Sequence, residues 1–215
     1  MLAKSDSLRK RKRELVVTDD TEVTRRLKVS RPSAKASLNS QRDPSHEIAR
    51  LEAEIQASQR HYNNIKTLLQ LSKHDARHGT KGKQAKLSLC RVFSRLLSEG
   101  RLRALPGATE NEAIVTSWLR QCFSDYQKQL LVLLKSESGW KLAMTLLMQL
   151  TREEVLATIS SPQAVWRSGV YSKLVLALVS GTTPSHQRAR ANLTAQYINA
   201  YDDVKQHTFA LVLSV

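Results

Sequence analysis

Apolar residues recur every three or four positions between Ile114 and Leu134, which is the period of an amphipathic helix. Just before this segment, Thr109 and Glu112 have the spacing of a capping box, a motif that marks the first turn of a helix. Periodic segments of the same kind continue towards residue 209, separated by short turns that contain Gly or Pro. The sequence therefore predicts a succession of helices rather than one long one.

The composition argues against the main β architectures. Aromatic residues make up 5% of the chain, which has only 7 Gly and 5 Pro, whereas sandwiches and barrels need frequent turns and aromatic strands. Many helices joined by short turns are typical of helical hairpins stacked in a solenoid. We therefore predict an all-α fold, either a HEAT-like helical solenoid or an irregular helical bundle, with a disordered basic N-terminal tail.

Charge and periodicity divide the chain into four segments. Residues 1–42 have sparse, aperiodic apolar residues, so they cannot offset the entropy cost of ordering and are predicted to be a disordered tail. Residues 43–72 are predicted to form an amphipathic helix and residues 73–83 a basic loop. Residues 84–215 are predicted to form a helical domain that is truncated at its C-terminus, because the apolar final residues would leave the last helix without a partner.

The apolar residues of segment 43–72 form a heptad-like stripe that is interrupted at Ser58. Such a stripe is either the seam of a coiled coil or the face of a helix that packs on the following domain. Fewer than four heptads are short for a stable coiled coil, which favours packing on the domain.

Positive charge is the strongest compositional signal. Lys and Arg total 34 against 19 Asp and Glu, which gives a net charge of +15 and a pI near 10.2, typical of proteins with polyanionic surroundings such as nucleic acid. The excess is densest in the tail, where five consecutive cations favour recognition by an import receptor or a polyanion over a role in solubility alone. The predicted nuclear-localisation and polyanion-binding residues are Arg9, Lys10, Arg11, Lys12, Arg13, Arg25, Arg26 and Lys28.

The basic loop contains two weaker signals. His74 and His78 have the spacing of a helical metal pair, but no further ligand lies nearby, so we predict no metal site. Residues 79–83 resemble part of a phosphate-binding loop, yet an earlier Gly and the Ser or Thr after the lysine are missing. Lys81 and Lys83 remain candidates for phosphate contact, and a solvated loop is the alternative.

No pattern in the sequence indicates catalysis. There is no nucleophile elbow, no Gly-rich dinucleotide fingerprint and no persuasive carboxylate pair, so we predict no catalytic residue and no cofactor. Trp118, Trp140 and Trp166 lie among apolar helical neighbours and are expected in the core. Two cysteines and the lack of a long apolar run predict a soluble protein in a reducing, intracellular compartment.

Five stretches, in this order, resemble the N-terminal half of the fungal nucleolar complex protein four family. They are KLSLCRVFSRLLSEGRL (86–102), IVTSWLRQCFSDYQKQLLVLL (114–134), LAMTLLMQLTREE (142–154), VWRSGVYSKLVLALV (165–179) and YINAYDDVKQHTF (197–209). None is a short catalytic motif, and the similarity rests on their order and spacing over roughly residues 46–209.

The resemblance implies a non-catalytic, HEAT-like scaffold of the nucleus and nucleolus. Such a protein is expected to act in small-subunit (40S) assembly and in processing of the 18S precursor rRNA. Its expected partners are a nucleolar protein fourteen-type assembly factor, the pre-ribosomal particle with its precursor rRNA, and an import receptor, with no membrane. The family also has a C-terminal half related to the CCAAT-binding factor domain, which is not expected within these residues.

Two other functions are compatible with the sequence. A nuclear RNA- or DNA-binding module would gather its basic residues on one face of the folded domain rather than mainly in the tail. An intracellular helical adaptor would use the basic tail to bind acidic lipid or protein and would be cytoplasmic.

Overall fold

Nine α-helices and no strand make up the residues that the computed structural model describes, which are 44–73, 79–103, 107–158 and 162–214. The first five are α1 (Pro44–Ala57), α2 (Asn64–Lys73), α3 (Gly79–Ser98), α4 (Glu110–Leu133) and α5 (Trp140–Ala157). The others are α6 (Pro162–Ser168), α7 (Val170–Ser180), α8 (Pro184–Leu193) and α9 (Asp202–Val212). A 3-10 helix (Gln59–His61) separates α1 from α2, and a π-helix (Thr194–Ile198) follows α8.

Successive odd-numbered helices stack on one another. Helix α1 packs on α3, α3 on α5, α5 on α7, and α7 on α9. The even-numbered helices lie beside them, with α2 against α3 and α4, and α8 against α5 and α7. Contacts therefore run mainly between neighbours along the chain, which is the arrangement of a helical solenoid and confirms the predicted fold class. The predicted disordered tail, residues 1–42, lies outside the described residues.

The core is continuous along the stack and centres on α3, α5 and α7. Helix α5 is buried on most sides, as its nearly all-round apolar sequence predicts. Phe93 of α3 is fully buried and places its ring 5.1 Å from that of Phe123 and 5.4 Å from that of Tyr126. The aromatic cluster joins the second half of α3 to the second half of α4.

The tryptophans take part in core packing, as predicted. Trp140 and Trp166 are buried, and Trp118 is partly buried against the core. Trp166 stacks on His207 with 4.4 Å between ring centroids and meets Tyr171 edge-on at 5.0 Å. These contacts tie α6 to α7 and α9.

The prediction of one continuous helix over residues 43–72 is wrong. Helix α1 ends at Ala57, and the Ser58 hydroxyl then accepts a hydrogen bond from the Arg60 backbone N–H (3.3 Å), which caps the 3-10 helix. The Asn64 amide donates to Glu54 (2.7 Å) across the bend. Serine competes for backbone groups in this way, which favours helix ends over helix interiors. Both helices pack on α3, so the apolar stripe is an intramolecular face and not a coiled-coil seam.

The predicted basic loop over residues 73–83 is shorter than expected. Lys73 is the last residue of α2, and α3 already begins at Gly79, while residues 74–78 lie outside the described residues. Two glycines and the lack of apolar residues made helix over 79–83 improbable by propensity. Extending a helix that already exists costs far less than nucleating one, and packing of Gly82 and Lys86 against the domain favours the extension. Lys81 and Lys83 therefore lie on a helix.

Helix α9 has a packing partner, which corrects the expectation that the final helix would be without one. It contacts α7, and Val204, Thr208 and Leu211 are buried. The Thr208 hydroxyl forms a hydrogen bond with the Tyr171 hydroxyl of α7. Phe209 on the same helix is 57% exposed.

Glu154 lies in the last turn of α5 and caps the start of α7. Thr151 and Glu154 have the spacing of a capping box, which predicts a new helix, but α5 continues to Ala157, and the Thr151 hydroxyl donates to the Leu147 carbonyl (2.9 Å). The Glu154 carboxylate instead accepts from the Val170 backbone N–H (2.8 Å) at the start of α7. A Cβ at Gly169 would lie 2.4 Å from that carboxylate, so a residue without a side chain is needed beside it.

We expect Glu154→Gln to be more stable than the wild type at pH 7. Burial raises the pKa of Glu154 above its ordinary value of 4.5, although the Val170 hydrogen bond and the charge of Lys173 oppose the shift. The native state therefore holds its proton more tightly than the unfolded state, and the carboxyl loses its contribution to stability as pH rises from 4.5 through the raised pKa. Glutamine keeps an oxygen for the Val170 N–H and does not ionise.

Thermal unfolding from pH 4 to pH 8 tests this expectation. The melting temperatures of the two proteins should converge below pH 4.5 and separate as pH rises. A Glu154→Gln variant that is less stable at pH 7 would show that the ionised carboxylate at the start of α7 stabilises the fold.

Candidate functional site

The described residues contain no cluster that is arranged for catalysis. Among them, no group of three or more His, Cys, Asp or Glu side chains is placed to hold a metal ion, and His74 and His78 lie outside them. Burial raises the pKa of the Cys90 thiol to about 11 and raises that of Cys122 in the same direction. Both thiols are therefore protonated at neutral pH and are poor nucleophiles. None of the described helices has the length and apolar content of a membrane span.

The strongest candidate for a binding site is a groove of about 730 Å³ where four helices meet. Its walls are the C-terminal end of α2, the first half of α3, the second half of α4 and the segment that leads into α5. In the described part of the chain, four lysines line this groove together with one carboxylate, that of Asp125. We call it the lysine groove; its lysines are Lys73, Lys83, Lys86 and Lys128.

Helix geometry explains why two of the lysines share one wall. Lys83 and Lys86 are three residues apart on α3, a spacing that places two side chains on the same face. Lys86 is only 3% exposed, and its ammonium donates a hydrogen bond to the Ser72 carbonyl (2.6 Å) at the end of α2. A cation at a helix C-terminus interacts favourably with the helix dipole. Lys86 is thus held in place, whereas Lys83 is exposed to solvent.

Hydrogen bonds between α2, α3 and α4 fix the floor of the lysine groove. The Tyr126 hydroxyl of α4 donates to the Lys86 backbone carbonyl (2.6 Å). The buried Ser72 hydroxyl bonds both the Leu69 carbonyl (2.7 Å) and the Gln129 side chain, and the Gln129 amide also donates to Leu69 (3.3 Å). Three helices are tied together directly beneath the lysines, so their spacing does not depend on a ligand.

The far end of the lysine groove is the start of α5. Ser136, Ser138 and Gly139 line it, and Gly139 occupies the N-cap position without a side-chain hydrogen bond. A Cβ at Gly139 would lie 2.3 Å from the Leu133 side chain, so glycine permits the close approach of α4 to α5. The backbone N–H groups of a first helical turn add partial positive charge to this end.

The electrostatic balance of the lysine groove is positive. Asp125 pairs with Lys128 at 3.5 Å, with both side chains largely exposed to solvent, so the pair is weak. Glu137, between the two serines, is directed to Arg188 (3.2 Å) and does not line the groove. Apolar side chains, those of Val132, Leu133 and Leu142, complete the lining, so the charge of the groove comes from its lysines, and this charge suits an anion.

The structure separates the predicted site residues. Lys83 lies in the lysine groove, but Lys81 is partly buried on another face of α3 and is not among the lining residues. The tail residues lie outside the described residues; they are Arg9, Lys10, Arg11, Lys12, Arg13, Arg25, Arg26 and Lys28. Sequence reasoning missed Lys73, Lys86 and Lys128. The basic character of segment 73–83 was the sequence signal that pointed to Lys73.

A second groove, of about 800 Å³, lies between α5 and the start of α9. It is bordered by the π-helix residue Tyr197 and by Tyr201 and Leu156, which are more than half exposed. Trp166 and Val204 form its floor. Its lining combines aromatic and aliphatic side chains with polar and charged ones of both signs, so it differs in chemistry from the lysine groove.

Comparison with known proteins identifies a family. The model of the family described as "Nucleolar complex protein 4-like, TPR repeats" matches residues 38–215, which is most of the chain and includes every described helix. TPR repeats are helical hairpins that stack in a solenoid, in agreement with the stacking of the odd-numbered helices. No curated protein and no solved structure matches the chain.

Proposed function

Because the chain belongs to the nucleolar complex protein 4-like family, we propose that it is a scaffold in small-subunit (40S) assembly and in processing of the 18S precursor rRNA. The family points to a nucleolar factor of ribosome biogenesis and is of the non-catalytic scaffold type. The match over residues 38–215 is the observation that carries the proposal. The role in the small subunit and in 18S processing is the more specific part of the proposal.

Two features of the fold support a scaffold. A solenoid exposes a long surface for its size, because each helical hairpin is covered only by its neighbours. This surface has two grooves of different chemistry in the described part of the chain, one cationic and one aromatic. Such a surface is suited to holding partners together.

The proposed partners follow from the same family. They are a nucleolar protein fourteen-type assembly factor and the pre-ribosomal particle with its precursor rRNA. Related proteins carry a CCAAT-binding factor-related half, which we propose shares in binding the assembly factor. The proposed location is the nucleolus, which the chain would reach through an import receptor.

Depletion of the protein from its own cells tests the role in the small subunit. We expect precursors of 18S rRNA to accumulate and mature 18S rRNA to fall, while precursors of the large-subunit rRNAs are processed at the normal rate. Re-expression of the full chain controls for indirect effects. Unchanged 18S processing, or an equal defect in both subunits, would contradict the proposed role.

Replacing the five cations from Arg9 to Arg13 with alanine is expected to abolish nuclear accumulation. Five adjacent positive charges supply most of the attraction to the acidic surface of an import receptor. The measurement is the nuclear-to-cytoplasmic ratio of the chain fused to a bulky fluorescent protein, which prevents passive diffusion. The matched control replaces the three arginines with lysine and keeps the charge. If the alanine variant accumulates like the control, these residues are not the import signal.

A further inference from the structure

We propose that the lysine groove binds the phosphate backbone of single-stranded RNA without reading its sequence. The choice of RNA over another polyanion rests on the proposed function.

Charge complementarity is the first argument. The four lysines come from three different helices that are brought together by folding, and the one carboxylate that lines the groove among the described residues, that of Asp125, is paired with Lys128. Basic residues therefore gather at one place on the folded domain, which is the arrangement expected of a nucleic-acid-binding surface. Lysine is a point charge that binds phosphate without demanding one geometry, which suits a backbone of varying conformation.

The hydrogen-bonding groups favour phosphate over an acidic peptide. Lysine ammonium groups and serine hydroxyls such as those of Ser136 and Ser138 are groups that proteins use to contact phosphate oxygens, whereas the Ser72 hydroxyl and the Gln129 amide are already bonded within the fold. A peptide would also bring one backbone N–H per residue, and each would need an acceptor when it is buried. A phosphate backbone needs donors, and the exposed lysines of the groove, Lys73, Lys83 and Lys128, supply them.

Size and lining favour a single strand held through its backbone. A volume of about 730 Å³ is that of a small-molecule pocket and admits a short segment rather than a double helix. None of the described residues that line the lysine groove is aromatic, so these residues provide no stacking platform for bases. Contacts to phosphates alone carry no sequence information.

The lysine groove is preorganised at its centre. Lys86 is buried and bonded to the Ser72 carbonyl, and the Tyr126 hydroxyl holds the backbone of Lys86. A cation that is already fixed loses little conformational entropy when an anion arrives. The exposed Lys83 and Lys128 on either side can adjust to the path of the strand.

The test compares two charge-matched variants of the full chain. The groove variant is Lys83→Glu with Lys128→Glu, and the control variant is Lys66→Glu with Lys205→Glu, two exposed lysines on α2 and α9 that do not line the lysine groove. Both variants change the net charge equally and keep the basic tail. Binding of a fluorescent single-stranded RNA is measured over a range of salt concentrations.

We expect the groove variant to lose roughly tenfold or more in affinity and the control to lose much less. The slope of log K against log salt should become shallower by about 1.4 in the groove variant, since each phosphate contact to a single strand contributes about 0.7. Ultraviolet cross-links to RNA should map to peptides that contain Lys83 or Lys128. Thermal melting checks that both variants are folded. If the charge reversal prevents folding, the double alanine variant, Lys83→Ala with Lys128→Ala, takes its place.

Three results would overturn the assignment. Equal losses in both variants would mean that only total charge matters. Stronger competition by polyglutamate than by RNA would identify an acidic peptide as the occupant, and equal affinity for double-stranded RNA would contradict the single-strand assignment. This proposal and the proposed function can fail separately. If the groove variant binds RNA normally, an 18S defect on depletion still supports the proposed function. If 18S processing is normal on depletion, the RNA-binding data still stand.

Discussion

Phe93→Ala is expected to lower the free energy of unfolding by about 3–5 kcal/mol, which is the usual cost of truncating a buried phenylalanine. Phe93 is fully buried between α3 and α4, and its ring contacts those of Phe123 and Tyr126. Alanine would leave a cavity where the two helices meet. For a domain of this size, the melting temperature should fall by roughly 6–20 °C.

Phe209→Ala provides the matched control for this prediction. The same atoms are removed, but Phe209 is 57% exposed on α9, and surface substitutions usually change stability by about 0.5 kcal/mol or less. The measurement is chemical denaturation of both variants beside the wild type. Similar losses in the two variants would show that the aromatic cluster of α3 and α4 is not the centre of the core.

Arg91→Ala is expected to lower the free energy of unfolding by about 2 kcal/mol, because it leaves the Glu52 carboxylate without its arginine partner. Arg91 bonds both carboxylate oxygens of Glu52 at 2.6 Å and so joins α3 to α1, and the Ser88 hydroxyl donates to the same carboxylate (2.7 Å). The Glu52 side chain is 11% exposed, whereas that of Arg91 is 57% exposed. Removing the arginine leaves a largely buried carboxylate without its charged partner, and this unpaired charge destabilises the fold.

Arg95→Ala is the control, because Arg95 also bonds a carboxylate at 2.6 Å, that of Glu99, but both side chains are exposed. Exposed pairs contribute about 0.5 kcal/mol, so this variant should be nearly as stable as the wild type. Equal losses of stability in Arg91→Ala and Arg95→Ala would show that the burial of Glu52 does not determine the cost of losing its arginine.

The pH dependence of Arg91→Ala gives a second check. Burial alone would raise the pKa of Glu52, but the hydrogen bonds from Arg91 and Ser88 and the charge of Arg91 outweigh it and hold the pKa below its ordinary value of 4.5. In the wild type the carboxylate therefore stabilises the fold above pH 4.5, and this contribution is lost as pH falls through the lowered pKa. The stability difference between wild type and Arg91→Ala should be largest at neutral pH and should shrink in acid.

The helices with strong local signals could be predicted from the sequence. The Thr109–Glu112 capping box forms as expected, with the Thr109 backbone N–H donating to Glu112 (2.9 Å) and the Glu112 N–H donating to the Thr109 hydroxyl (3.4 Å). The all-round apolar pattern of α5 correctly placed this helix at the centre of the fold. In both cases the information lies within a few turns of one helix.

Errors arose where tertiary contacts override local preference. The helix break at Ser58 depends on a hydrogen bond between Glu54 and Asn64 across the bend, and the early start of α3 depends on packing that propensity does not include. Glu154 matched a capping pattern for its own helix but caps α7 instead. The spacing of residues in one helix carries no information about such partners.

The candidate site was the least predictable part. Lys83 was singled out from the glycine-rich segment around it, but Lys73 and Lys128 join it only because α2 and α4 pack together beside α3. Lys86 sits within an apolar stretch of α3, where a buried lysine is unexpected without the Ser72 carbonyl as its partner. A groove formed by four helices cannot be predicted from the sequence of any one of them.

Affinity purification of the tagged full chain from its own cells, with mass spectrometry and RNA sequencing at a stated salt concentration, tests the central claim most directly. Salt must be fixed because contacts between basic residues and RNA weaken steeply with it. We predict recovery of small-subunit assembly factors, including a nucleolar protein fourteen-type factor, together with precursor 18S rRNA. Recovery of cytoplasmic or membrane proteins without pre-ribosomal RNA would contradict the account and favour a helical adaptor.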